Sequence, residues 1–244
     1  MINKKTRNRL GEQGNVLFLI LIAVALFAAL SYAVTQSTRS GGGDASDEGN
    51  LVNSAQITQY PASVRTSIVR MVIGGADVET LEFNAPEDFD DCTTVNGVQA
   101  RCVFHPDGGG ATHQNAPGEI MASGTAGAWR FNAENEINLI GRTGSGGPDA
   151  NSADLIAFLP GVTNGICERI NSELGISGDI EETGIDYDSA SDMVNTGGSP
   201  TAICDGSCSG GTIGESPAEA FDAQPFGCFT EGTTNVYYHV LIER

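Results

Sequence analysis

Nineteen consecutive residues, Val16 to Val34, carry no charge and read VLFLILIAVALFAALSYAV. As a helix they span about 28 Å at 1.5 Å per residue, which matches the ~30 Å hydrocarbon core of a bilayer. Lys4, Lys5, Arg7 and Arg9 precede the run and only Arg39 follows it closely. This charge bias keeps the N-terminus in the cytoplasm and exports everything after the helix. The expected topology is a single-pass membrane protein whose C-terminal domain is extracytoplasmic, in the periplasm or at the cell surface. Two other uses of the segment compete. Ser31-Tyr32-Ala33 offers small residues where a signal peptidase cuts, so the domain would be secreted after cleavage behind Ala33, although the run exceeds the usual ~7–15-residue apolar region of a signal peptide. A static anchor that never leaves the bilayer is the other.

Charge separates the two ends of the chain. Of 12 Lys and Arg, five lie before residue 40; of 31 Asp and Glu, only Glu12 does. The remaining seven basic residues and thirty acids give the exported part a strongly negative surface, with no lysine after Lys5. Such a surface repels phosphate backbones and anionic headgroups, which excludes nucleic-acid binding through this domain. Six cysteines, Cys92, Cys102, Cys167, Cys204, Cys208 and Cys228, all follow the apolar run. Behind an export signal an even set reads as disulfides. No CxxC occurs, and the three histidines are not spaced as zinc ligands beside the cysteines.

The leader carries a more particular pattern. Lys4-Lys5-Thr6-Arg7-Asn8-Arg9-Leu10-Gly11-Glu12-Gln13-Gly14-Asn15, followed at once by the apolar helix, resembles the leader of type IV pilins and pseudopilins. In that family a short basic leader ends in glycine, a prepilin peptidase cuts on the cytoplasmic side, and the apolar helix serves as membrane anchor and later as filament core. The resemblance implies processing at Gly11 and Glu12 or at Gly14 and Asn15. It implies membrane lipid, the prepilin peptidase and other pilin-like subunits or secretion-machine components as partners. The family's usual glutamate at mature position five is absent: counting from Gly11 gives Val16, and counting from Gly14 gives Leu19.

The expected organisation is a leader at 1–15, a transmembrane helix at 16–34, a flexible neck at 35–50 and an α+β domain at 51–244. The neck rests on the polar run TQSTRSGGGDASDEGN, whose triple glycine at 41–43 should interrupt the helix leaving the membrane. Ile57, Tyr60, Val64, Ile68 and Met71 or Val72 recur at helical spacing and predict an amphipathic helix that Pro61 starts or kinks and Gly74-Gly75 ends. Val78 to Phe83 alternate as a half-buried strand does. Cys92 to Cys102 reads as a hairpin around Asn96-Gly97. A two-residue turn there sets Val95 opposite Val98 and leaves Cys92 one place out of register with Cys102, so a disulfide predicts a three-residue loop or a bulge.

Further on, residues 127–131 and 137–140 predict a second strand pair, with the lone Trp129 on a sheet face. Asp154 to Pro160 and Asn164 to Gly175 predict a helical block, with Asn164 as cap and Ile166, Cys167, Ile170 and Leu174 on one face. Phe226 to Phe229 and Asn235 to Ile242 predict a C-terminal hairpin. The whole is expected as two helices packed on an antiparallel sheet with disulfide-tied loops. Cys204 and Cys208 can close a small loop that leaves Cys167 for Cys228, and three pairings of these four stay open. In pilins a cysteine near the last strands commonly ties down the C-terminal region.

Catalytic signatures are missing. The exported part has no lysine for Ser-Lys chemistry, no Gly-x-Ser-x-Gly and no His-Glu-x-x-His. The loop His105-Pro-Asp107-Gly-Gly-Gly lacks the Gly-Lys-Ser/Thr of a phosphate cradle, and His105, Asp107 and His113 make a poor metal set on glycine-rich backbone. Asp186, Asp188 and Asp192 offer calcium a weak site without the distal glutamate of an EF-hand loop. The chain is therefore expected to be non-enzymatic and to carry no cofactor.

Overall fold

The computed structural model describes residues 13–144, 147–149, 151–177, 180, 181, 183, 185, 187, 208, 210–216 and 218–244. The chain divides into two units, Met1–Gly49 and Asn50–Arg244. Helix α1, Gln13–Ile73, begins in the first unit and ends in the second.

Within the first unit every described side chain from Val16 to Ala33 is exposed. The neck expected at 35–50 is not seen as a break: α1 runs through Gly41–Gly43, and Pro61 also lies inside it. Each residue of a long helix gains one backbone hydrogen bond once neighbouring turns exist, and this offsets the roughly 1 kcal/mol penalty of each glycine. The end of α1 comes where the sequence puts it. Gly75 adopts φ +98°, and the amides of Gly74 and Ala76 bond back to the carbonyls of Arg70 and Met71 at 3.0 Å each, the left-handed stop that glycine permits.

The second unit is α+β. Four strands form an antiparallel sheet in the order β1-β3-β6-β5: β1 Arg130–Asn132, β3 Leu155–Pro160, β5 Phe226–Glu231 and β6 Thr234–Ile242. β2 Glu136–Ile137 and β4 Thr212–Ile213 pair in parallel as a separate ribbon. Helix α2, Asn164–Glu173, packs on β5 and β6.

The predicted face of α1 is the buried one. Ile57, Tyr60, Val64, Ile68 and Met71 are all nearly inaccessible. Tyr60, Val64, Ile68 and Met71 meet Leu155 and Ala157 of β3, Leu241 of β6 and the stacked rings of Phe83 and Phe131. The opposite face of the sheet buries Ile156, Phe158, Phe229, Tyr238 and Val240 against Phe221 and Ile213. α2 completes a third cluster, in which Ile166, Cys167 and Ile170 join Leu159, Tyr237 and Cys228.

This layering corrects the expectation for Asp154 to Pro160, which form the inner strand β3 and not a helix. Alternate residues of β3 enter opposite clusters, so both faces need apolar side chains and the alternation that marks a half-exposed strand is missing. Two other strand expectations fail. Val78–Thr80 is a 3-10 turn capped by the Asp77 side chain, and only Glu82 makes a bridge, to Cys102. β1 and β2 do not pair with each other. The α2 start also differs: Thr163 is the cap, without a side-chain bond, and Asn164 is the first helical residue, its amide donating to Glu168. Gly175, at φ +79°, follows the end as expected.

The C-terminal hairpin forms with Glu231 opposite Thr234. β5 is an edge strand, yet α2 supplies it with a substitute partner. Asn171 donates to the Cys228 carbonyl at 2.7 Å and accepts from the Cys228 amide at 3.0 Å, as a neighbouring strand would. At Thr230 the backbone of Glu181 and Thr183 closes the same edge. α2 is thereby fixed to the sheet by a polar pair as well as by its apolar face.

Candidate functional sites

The first candidate is the apolar half of α1. Val16–Ala33 is long and apolar enough to cross a membrane, lies near the N-terminus, and has no buried residue. Leu, Ile, Val and Phe side chains there remain about 40–73 % exposed. Fully withdrawing one such side chain from water is worth about 1.5–3 kcal/mol. Of the processing residues, Gly14 and Asn15 lie in the first turn of α1, whereas Gly11 and Glu12 fall outside the described residues.

The second candidate is the disulfide framework. Cys92–Cys102 and Cys167–Cys228 are both closed, with Cα separations of 6.1 and 5.3 Å. Cys208 is also disulfide-bonded, while Cys204 lies outside the described residues. The loop expected for Cys92–Cys102 needs correction. Asn96 (φ 57°) and Gly97 (φ 85°) make a two-residue turn, and Val95 and Val98 exchange both backbone hydrogen bonds. This is the twist-matched hairpin turn. Pairing then stops, because Cys92 belongs to the end of a 3-10 helix, Pro86–Asp91, and Cys102 bridges Glu82. The cysteines meet through this irregular backbone and not across a ladder.

Glu82 was not singled out from sequence, yet it is fully buried. One carboxylate oxygen accepts from the Thr93 amide at 2.8 Å and lies 3.3 Å from Cys102 Sγ, while the other has no hydrogen-bond partner. Glu82, Cys92 and Cys102 bring three ligand-type atoms within 4.8 Å of one another. With both sulfurs in a covalent bond they offer no thiolates to a metal.

A second buried acid, Asp154, accepts from the amides of Ile137 at 2.9 Å and Arg244 at 3.0 Å. Burial pushes its carboxyl up to about 7 against the pull of these two bonds, and the charges of Glu136 and Glu243 add to the rise. Glu136 accepts from the Gly144 amide and the Thr212 hydroxyl at 2.9 and 2.8 Å. These acids are occupied in tying β2, β4 and the end of β6 together, which is a structural use. No sequence pattern marks them, because their partners, three backbone amides and the Thr212 hydroxyl, lie 8 to 90 residues away along the chain.

The remaining candidates separate in space or in chemistry. His105 Nδ1 accepts the Asp107 amide at 3.1 Å, and His113 packs edge-on to Phe104; they form no ligand set with Asp107. His239, held by the Tyr237 hydroxyl at 2.9 Å and stacked on Phe226, is pushed by burial down to about 4, aided by the Arg65 charge. It is neutral near pH 7 and unsuited to proton transfer there. Asp186, Asp188 and Asp192, the calcium candidates, lie outside the described residues.

Cavities indent the described residues of the second unit, and two of them bear on the candidate residues. One, of about 560 Å³, lies beside the end of α1 and is walled by Gly74, Asp77, Thr80, Arg101, Asp107 and neighbouring backbone. The other, of about 60 Å³, is lined by Tyr60, Trp129, Ile57, Gln56, Gln114 and residues 115–117 and 120. Trp129 does sit against the sheet, 5.1 Å from the Tyr60 ring centroid and 6.1 Å from that of Tyr237. Comparisons with protein-family models, with curated proteins and with solved structures return no match.

Proposed function

We propose that this chain is a pilin-like or pseudopilin-like structural subunit of a cell-surface filament or secretion apparatus, without enzymatic activity of its own. The observation that carries the reading is the division of labour within α1. Its first part, Val16–Ala33, is apolar and unburied, and its last part, Ile57 to Met71, supplies one side of an α+β core. The basic leader ahead of it has the layout of a prepilin leader, and the antiparallel sheet and the Cys167–Cys228 bond that ties β5 to α2 suit the same architecture.

In this reading the apolar segment holds the subunit in the bilayer with the N-terminus cytoplasmic. A prepilin peptidase removes the leader, and the helices then leave the lipid and pack side by side, exchanging lipid contacts for helix contacts. The negative α+β unit faces outward and meets partner subunits. The work is mechanical assembly, so no convergent reactive groups are required.

N-terminal sequencing of the mature protein tests it. A start at Glu12 or Asn15 agrees with the proposal. A start at Val34 replaces it with secretion of a free domain, and an intact Met1 replaces it with a static anchor carrying a binding module. If deleting the prepilin peptidase leaves size and location unchanged, the filament role is lost.

A further inference from the structure

Four steps of the chain set an asparagine or aspartate directly before glycine: Asn96-Gly97, Asp107-Gly108, Asn164-Gly165 and Asp205-Gly206. At such a step the glycine nitrogen can attack the carbonyl carbon of the preceding side chain, since no Cβ stands in its way. In a folded chain the outcome depends on whether the backbone lets the two atoms meet. The five-membered ring that forms sets the glycine nitrogen level with Cβ about the Cα–C bond. For an L residue this means ψ of about −120°, the value of the first central residue in a type II′ turn.

The structure separates the described steps; Asp205-Gly206 lies outside them. Asn164 is the first helical residue of α2, so its backbone is held far from that ψ. Its side chain donates to Glu168, and α2 is pinned by Asn171 and by Cys167–Cys228. The Gly108 amide is committed to the His105 carbonyl at 3.0 Å. Asn96 and Gly97 are both exposed, and neither the Asn96 side chain nor the peptide group between the two residues has a hydrogen bond among the described residues. Their φ values of 57° and 85° are those of a type I′ turn. Types I′ and II′ share the positive φ of the first central residue and differ by rotation of the central peptide, which takes the second residue from about +90° to about −80°. Glycine occupies both regions. Both turns also match the strand twist, so the Val95–Val98 bonds, at 2.8 and 3.2 Å, stay closed while the peptide turns over.

We propose that Asn96 is a modification site, at which the chain converts its own asparagine to aspartate and isoaspartate. The Gly97 nitrogen, its proton taken by water or hydroxide, bonds to Asn96 Cγ; the Cγ–Nδ2 bond breaks and ammonia leaves. Water then opens the ring. Hydrolysis at Cγ leaves aspartate, and hydrolysis at the main-chain carbonyl carbon leaves isoaspartate, with nothing oxidised or reduced. Either product adds one negative charge to the hairpin tip. Isoaspartate also lengthens the backbone by one carbon, which a two-residue turn does not accommodate. The assignment stands independently of the filament role, since it uses only this turn.

The experiment incubates the full-length chain in detergent, and the same chain reduced and unfolded in guanidinium, at mildly alkaline pH. Peptide mapping follows the conversion, with isoaspartyl methyltransferase labelling to tell isoaspartate from aspartate. Unfolded, Asn96 and Asn164 should react at similar rates, because each is an Asn-Gly step in coil. Folded, Asn164 is expected to slow at least about tenfold, since its reaction waits for α2 to open. Asn96 is expected to stay within about threefold of its unfolded rate, because no such opening is needed, and to give isoaspartate as well as aspartate. Gly97→Ala sets a Cβ beside the attacking nitrogen and should slow Asn96 about tenfold while sparing Asn164. Slowing of Asn96 on folding as severe as that of Asn164 overturns the proposal, because the turn then blocks the ring. Equal, unslowed conversion of both overturns it too, since the fold would select nothing. Aspartate without isoaspartate, or undiminished conversion in Gly97→Ala, rules out the ring and has the same consequence.

Discussion

Two stretches of α1 use apolar side chains in opposite ways. Between Val16 and Ala33 they occur on all sides and none is buried; between Ile57 and Met71 they are confined to one face, and that face is nearly inaccessible. The lesson concerns distribution more than amount. A helix apolar all round needs a surrounding apolar medium, and one apolar on a stripe needs a partner layer. The second region finds that layer in its own sheet, whereas the described residues supply none to the first, so perturbations should affect one and spare the other.

The largest expected effect is on the second region. Replacing Cys167 and Cys228 with alanine opens a loop of 61 residues and should cost about 4 kcal/mol in the chain-entropy model. Denaturant unfolding of the full-length chain should show this loss, while alkaline extraction should still leave the protein with the membrane. Next, Val24→Arg at the middle of the span should disfavour insertion by about 3 kcal/mol. Membrane fractionation reads that loss, and non-reducing mass mapping should find both described disulfides intact. If either change damages both regions, the separation drawn above is wrong.

A pH experiment sharpens the contrast. Asp154 keeps its proton to about pH 7 when folded, whereas an unfolded aspartate releases it near pH 4. The folded state thus binds the additional proton between these values. The contribution of this group to stability is full below about pH 4, falls as pH rises and is gone above about 7. At roughly 1.4 kcal/mol per unit the window amounts to a few kcal/mol at most, and Asp154→Asn should flatten this part of the slope. Membrane association should not follow the same curve, because Val16 to Ala33 contains no acidic or basic residue. The smallest effect is local: Gly97→Ala meets no atom within 4 Å but must hold φ +85°, which should cost about 1 kcal/mol, visible as a slightly lower denaturation midpoint.

Sequence conveyed these regions unequally. The apolar run, the stripe on α1, the α2 face and the position, though not the type, of the turn at Asn96-Gly97 are each set by neighbours within a few residues, so local pattern suffices. β3 defeated it because Leu155 to Leu159 are buried from both sides, and a strand enclosed between two layers has no period to display. The Cys92–Cys102 loop defeated it for another reason: ideal hairpin register was assumed to continue beyond Val95 and Val98, where the chain instead turns into 3-10 geometry. The Tyr60–Trp129 cavity and the buried acids Glu82 and Asp154 arise only when segments distant in the chain converge. No spacing rule marks such residues in advance.

The closing of the β5 edge by Asn171, Glu181 and Thr183 bears on life at high density. At the opposite margin β1 contributes only three residues, so neither border offers a long row of free amides and carbonyls on which a foreign strand can template. Many copies concentrated in one membrane would therefore resist fusing into a common ladder. Any contact between copies would then run through side chains and leave each domain individually folded.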